Sequence, residues 1–374
     1  MAPNLDTLPV ETLSLVLGHF CLHCSKEHGY ESPHGYFRCR QNGEEQQADQ
    51  PSWYSRDYRH TLYSVCLVSK RLASVAQALL HYEFVPGYGD AWRSDQFSWD
   101  GRLESFLRTV AARKDLAELM KRIFEHPHLL RAVTEEEAQL TLDEVLGTAP
   151  AGPAAGNAQL LSEYLDAFDL LREPRVSFPG PQRHPGWKLV GVLLASAPNL
   201  ERLSLQVEGT GCVPAAAFSA LRGLSVSSAG AVLSQLKTLD FCPRSAWWVF
   251  HAKHHATGIL EAAATGKSEG SSSLSTLNLH MCGGIGQVKL QGLGSVQALR
   301  ITLGRLYNGD LSVLLNSCRG GSGLKSFYYE ARSPRVWVGH VEGSCNCNAH
   351  SSSQFSSLPN QYIPTKTTLA HTFG

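Results

Sequence analysis

Apolar residues recur at three- and four-residue steps through the first third of the chain, and beyond residue 187 a shorter motif replaces that spacing. Leu13, Val16, Leu17 and Phe20 stand at i, i+3, i+4 and i+7, which places them on one helix face. Pro9 suits the first helical position, where a missing N–H costs nothing, and Glu11 lies near the positive helix end. Leu15 and Leu22 fall off the stripe, so the helix is apolar on more than one side. A second run takes in Leu62, Val65, Val68, Leu72, Val75 and Leu79 with no Gly or Pro before Pro86. It too has apolar residues off its stripe, at Leu67, Leu80 and Phe84. Helical spacing continues through Leu103, Phe106, Leu107 and Val110, then Leu116, Leu119, Met120 and Ile123. Thr134 ahead of Glu135, Glu136 and Glu137 marks another helix start, and TAPAGPAAGN after it reads as a loop.

In the C-terminal half the form apolar-x-x-apolar-x-apolar comes back five times. It occurs at Leu200/Leu203/Leu205, Leu236/Leu239/Phe241, Leu274/Leu277/Leu279, Val296/Leu299/Ile301 and Leu324/Phe327/Tyr329. The last alternating pair of each is a short strand with every second side chain turned inward, preceded by a turn that tucks in one more apolar residue. Helical or apolar returns such as WKLVGVLLASA and DLSVLLNSC lie between several of them. A strand with a helical return, repeated, is the leucine-rich-repeat unit. The steps are 36, 38, 22 and 28 residues, so two are longer than the usual repeat and imply insertions or a degenerate repeat. Leu-rich strands of an ordinary parallel sheet read similarly. In the repeat reading Ser204, Asp240, Asn278, Arg300 and Tyr328 point outward on a concave wall. Leu369 and Phe373 end the chain without a polar cap, so a truncated or divergent last repeat is expected.

The chain has 374 residues, 43% of them hydrophobic, and no run of 18 apolar residues, which predicts a globular protein with no membrane span. Asp6 and Glu11 stand where a secretory signal would carry basic residues. Lys plus Arg equals Asp plus Glu at 33 each, so no global field favours nucleic acid or an anionic membrane. The cluster Arg102, Arg108, Arg113, Lys114, Lys121 and Arg122 is interleaved with Glu104, Asp115, Glu118 and Glu125, as on a solvated face. Ten scattered cysteines fit reduced thiols in the cytosol or nucleus.

Candidate chemistry is sparse. Cys21, His23, Cys24, His28, His34 and Cys39 offer sulfur and imidazole, and Cys21-x-x-Cys24 has the spacing of half a zinc site. The other half is poor, and both cysteines also suit the end of the first helix as small hydrophobes, so no metal or cofactor is expected. His251, His254 and His255, and Cys345, Cys347 and His350, fall in polar loop sequence. No GxGxxG follows a strand, and neither a P-loop nor a GxSxG elbow occurs, so nothing carries an enzyme reading.

Leu8-Pro9, Glu11, Leu13 and Val16, followed downstream by Cys66 to Leu72 and a closing Leu-Leu-x-Tyr-x-Phe, resemble the F-box. That family is a trio of helices that docks on the small adaptor subunit of SCF ubiquitin ligases. An F-box ahead of irregular leucine-rich repeats is similar to the fungal F-box substrate receptors. The resemblance implies an α/β chain in three parts. Residues 1–86 form the F-box with a long insert at 23–60, residues 87–185 a helical linker or degenerate repeats, and residues 186–374 the solenoid. The insert departs from the family's short link, and it leaves open whether Trp53, Tyr54, Tyr58 and Tyr63 fold back on the trio. It is tolerable because loop closure costs only roughly 0.6 kcal/mol per doubling of length. By the same resemblance Leu8, Pro9, Leu13, Val16, Leu17, Leu67, Val68, Lys70 and Leu72 lie at or behind the adaptor interface. The adaptor would connect the chain to a cullin, Ser204, Asp240, Asn278, Arg300 and Tyr328 would meet a protein target, and the chain itself would catalyse nothing. A repeat scaffold with no ligase role is one alternative, and a zinc-dependent regulatory or nucleic-acid-binding module built on the Cys and His residues of the insert is another.

Overall fold

A computed structural model describes residues 5–25, 59–84, 101–125, 129–130, 133–147, 155–170, 185–207, 220–221, 233–243, 250–251, 274–280, 282–283, 295–304, 313, 316, 324–331 and 368–372. A 3-10 turn (Leu5–Thr7) leads into α1 (Val10–Gly18), and Pro9 is the flanking residue just outside the helix. The short α2 (Leu22–Ser25) follows. The second apolar run is not one helix but two, α3 (His60–Cys66) and α4 (Lys70–Leu80). Ser69 makes the break: its backbone is extended, and its Oγ accepts the Leu72 N–H at 3.2 Å, capping α4. Leu13, Leu17, Leu62, Leu72, Val75 and Ala76 close the centre of this helical group.

The sheet starts earlier than the sequence pattern places it. β1 (Glu83–Phe84) and β2 (Arg122–Glu125) already belong to it, ahead of β3 (Arg202–Val207) and β4 (Thr238–Pro243). It continues with β6 (Thr276–His280), β8 (Ala298–Gly304), β9 (Ser326–Ala331) and β10 (Thr368–Thr372). The helical spacing expected to run to Ile123 stops with α5 (Arg102–Ala112) and α6 (Lys114–Leu119). Pairing with neighbouring strands overrides the local pattern at Arg122–Glu125. The strands stand in chain order and are parallel from β1 to β9. β10 runs antiparallel along the edge of β9, where an uncapped end was expected. β5 (Phe250–His251) and β7 (Cys282–Gly283) form a separate parallel pair.

One backbone step recurs at the entries of β2, β3, β4, β6, β8 and β9. Two successive N–H groups share the carbonyl of the preceding strand's entry: Lys121 and Arg122 on Tyr82, Glu201 and Arg202 on Lys121, Lys237 and Thr238 on Glu201. Ser275 and Thr276 on Lys237, Gln297 and Ala298 on Ser275, and Lys325 and Ser326 on Gln297 repeat it. A constant register follows, so Phe84, Ile123, Leu203, Leu239, Leu277, Leu299 and Phe327 form one apolar column.

Helices α5, α7 (Glu135–Gly147), α8 (Ala155–Leu170) and α9 (Gly186–Ala195) share a single core with this sheet. Thr134 and Glu137 cap α7 reciprocally, Thr134 N–H on Glu137 Oε2 at 3.0 Å and Glu137 N–H on Thr134 Oγ1 at 3.2 Å. Within α9, Trp187, Leu189, Val190, Val192, Leu193 and Leu194 are all buried. A Cβ on Gly191 would fall 1.8 Å from Tyr164 Oη, so α8 and α9 approach as closely as they do only because residue 191 is Gly. Among the described residues no helix is long and apolar enough to cross a membrane.

The second core-facing column reads Glu125, Leu205, Phe241, Leu279, Ile301 and Tyr329. Glu125 is the exception in it: the residue is buried, and neither carboxylate oxygen has a hydrogen-bond partner among the described residues. Burial pushes its carboxyl well above the usual range.

Candidate docking surface and polar row

Nine large hydrophobic side chains are exposed among the described residues, and seven of them lie in the N-terminal helical group: Leu5, Val10, Leu15, Val16, Tyr63, Leu67 and Val68. Leu15, Leu67 and Val68 keep 74%, 71% and 69% of their surface open. Their placement follows from local structure. Leu13 and Leu17 take the inward face of α1, which turns Leu15 and Val16 away from it. The Ser69 cap interrupts the second run at Leu67 and Val68, so Val68, counted on the inward stripe by spacing alone, faces outward.

Of the residues expected at the adaptor interface, Pro9, Val16, Leu67, Val68 and Lys70 are exposed and Leu8 is half-buried. Leu13, Leu17 and Leu72 are buried and support the surface from behind. The Arg71 guanidinium donates to the Leu8 carbonyl and ties the N-terminal turn to α4. Leu5, Val10 and Leu15 add to this surface beyond the residues the resemblance implies, and the second apolar side of the first helix is the signal for Leu15. Tyr63 is exposed, whereas Trp53, Tyr54 and Tyr58 lie outside the described residues.

The five expected wall residues do stand in one row, with Phe124 ahead of them: Ser204, Asp240, Asn278, Arg300 and Tyr328 are register partners from strand to strand. Two of them are nonetheless not presented. Ser204 and Asp240 are each 2% exposed, and their polar atoms are used within the row. Asp240 Oδ2 accepts from Ser204 Oγ at 2.5 Å and from Arg202 Nε at 2.7 Å, while its Oδ1 accepts from Asn278 Nδ2 at 2.6 Å. A buried carboxylate in low dielectric requires such partners, which corrects the expectation that Ser204 and Asp240 contact a target. Asn278, Arg300 and Tyr328 are half-buried, and the Arg300 guanidinium sits 4.5 Å from the Tyr328 ring centroid. In the same region buried His280 and Thr302 pair through Nδ1 and Oγ1 at 2.7 Å. Arg202, the charge partner of Asp240, carried no signal in the repeat pattern.

The CxxC folds back where the helical group meets the sheet. Cys21 is buried, His23 half-buried and Cys24 exposed, and one donor atom from each lies within 4.8 Å of the others. Gly18 allows the return, since a Cβ there would stand 3.3 Å from Cys24 Cβ. The His23 ring stacks on Tyr82 at 3.7 Å between centroids and 3° between planes, and the Arg122 guanidinium lies 5.6 Å from the Tyr82 ring centroid. A hydrogen bond to Cys24, burial and the Glu83 charge push the Cys21 thiol up. The same hydrogen bond and the Arg122 charge lower Cys24 to about 7. Burial and Arg122 lower His23 to about 3, so its imidazole is neutral at physiological pH. His28, His34, Cys39, His254, His255, Cys345, Cys347 and His350 lie outside the described residues, and His251 sits on β5.

Comparison of the chain with protein-family models, curated proteins and solved structures yields no match.

Proposed function

We propose that this chain is the substrate-recognition subunit of an SCF-type ubiquitin ligase. In this reading the N-terminal helices are an F-box that binds the SCF adaptor and, through it, a cullin. The register-aligned strands are a leucine-rich-repeat solenoid that binds a protein target. The chain holds rather than catalyses, and it works in the cytosol or nucleus.

One observation carries the proposal: among the described residues, exposed apolar side chains are concentrated on the helices that resemble an F-box, while the centre of that group is closed by its own residues. A cluster of exposed hydrophobic side chains favours a polypeptide partner. Each square ångström covered would contribute roughly 25 cal/mol, with a few central side chains dominating. The repeated strand-entry hydrogen bonds support the solenoid part, since each strand adds to the last in the same way. On the target side, Asn278, Arg300 and Tyr328 are the row residues with surface to offer.

Co-expression with the adaptor tests the reading. The full chain should copurify with it, and Leu67→Asp with Val68→Asp should abolish copurification while circular dichroism and the unfolding midpoint stay unchanged. A wild-type chain that does not copurify with the adaptor would sink the ligase reading and leave a repeat scaffold.

A further inference from the structure

We infer that Cys21, His23 and Cys24 form a zinc site that fastens the N-terminal helices to the start of the sheet. The donor types are those zinc prefers, two thiols and an imidazole. One donor atom from each of the three lies within 4.8 Å of the others. His23 Nε2 is 3.3 Å from Cys24 Sγ and 3.6 Å from Cys21 Sγ. Zn–S and Zn–N bonds of about 2.3 and 2.0 Å at a tetrahedral angle put sulfur and nitrogen about 3.5 Å apart, between those two distances. Nδ1 lies against Cys21 Sγ, so the imidazole must turn about its Cβ–Cγ bond for Nε2 to face both thiols across one ion.

The surroundings orient the set as second-layer contacts orient metal ligands. Stacking on Tyr82 fixes the plane of the imidazole, and Gly18 leaves the room that brings Cys24 back over the end of α1. The location gives the site a purpose. α1 carries part of the exposed apolar surface, Tyr82 precedes β1, and the Tyr82 carbonyl receives the first pair of strand-entry hydrogen bonds. An ion here would join the docking helices to the first step of the sheet. Three protein donors leave one coordination position for water or a further ligand.

The test uses the full chain purified without chelator. Elemental analysis should find about one zinc per chain, as an ion held by two thiolates and an imidazole is retained through purification. Cobalt(II) added to metal-stripped protein should give the visible absorption of a tetrahedral ion together with thiolate charge transfer. Cys24→Ser is the informative variant, because Cys24 is exposed and its loss leaves the core untouched. It should lower zinc content at least tenfold and remove the charge-transfer band, with His23→Gln acting in the same direction. Less than a tenth of an equivalent of zinc in the wild-type chain would overturn the inference. So would zinc retained in full by the Cys24→Ser chain, or a mass spectrum showing Cys21 and Cys24 joined as a disulfide.

Discussion

The N-terminal helical group and the polar row of the sheet treat their surfaces in opposite ways. The helices leave large apolar side chains open while closing their own interior, and the row buries its most polar members and satisfies them with one another. The difference separates residues kept for the fold from residues free to serve a partner. Changing Leu67 touches nothing the molecule needs internally, whereas changing Asp240 strands three donors. A charged residue on a strand is thus no sign of a binding wall, and an exposed Leu on a capped helix break is a better one.

Asp240→Ala should be the most damaging change. It leaves Arg202 without its buried partner and Ser204 and Asn278 without their acceptor, and should cost about 3–5 kcal/mol in urea unfolding. Should the loss stay below 1 kcal/mol, the row is not held by its own network and the contrast with the helices fails.

Glu125→Leu should act in the reverse direction. Leucine continues the column of Leu205, Phe241, Leu279 and Ile301 and removes a buried carboxylate that has no hydrogen-bond partner among the described residues, a gain of about 1–3 kcal/mol at neutral pH. The wild-type chain should show the matching pH dependence. The folded state holds the Glu125 proton to higher pH than the unfolded state does, so this group's contribution is full below the ordinary value of 4.5 and is lost as pH rises above it. Urea midpoints measured from pH 5 to 8 should fall in the wild type more steeply than in Glu125→Leu.

Ser69→Ala tests what presents Leu67 and Val68. Loss of the cap on α4 should cost about 1 kcal/mol and weaken adaptor copurification, although no interface side chain has been removed. The smallest stability effect belongs to Leu67→Asp with Val68→Asp, within about 0.5 kcal/mol by urea unfolding, because both side chains are exposed. A larger loss would mean that the apolar surface serves the fold, and the two regions would no longer differ in kind.

Part of this contrast is legible in the sequence. Residues whose partners are close in sequence or set by a fixed period, such as Thr134 with Glu137 or Leu203 with Leu205, were placed correctly because local geometry alone decides them. The RIFE strand is not legible there, because four residues with helical spacing on both sides carry no strand signal of their own. Their pairing with Glu83–Phe84 and Arg202–Leu205 comes from residues up to 80 positions away. Ser69 was visible as a residue but not as a break, since the apolar stripe runs straight across it.

By itself the sequence determined the apolar periods, and with them the helices at the N-terminus, the five later strands and the inward columns, because periodicity is a property of neighbours along the chain. Only the tertiary structure decided which members of those patterns stay accessible. Exposure depends on what distant segments place opposite a residue, so Val68 emerged, Asp240 was covered, and Cys21, His23 and Cys24 closed around one point beside Tyr82.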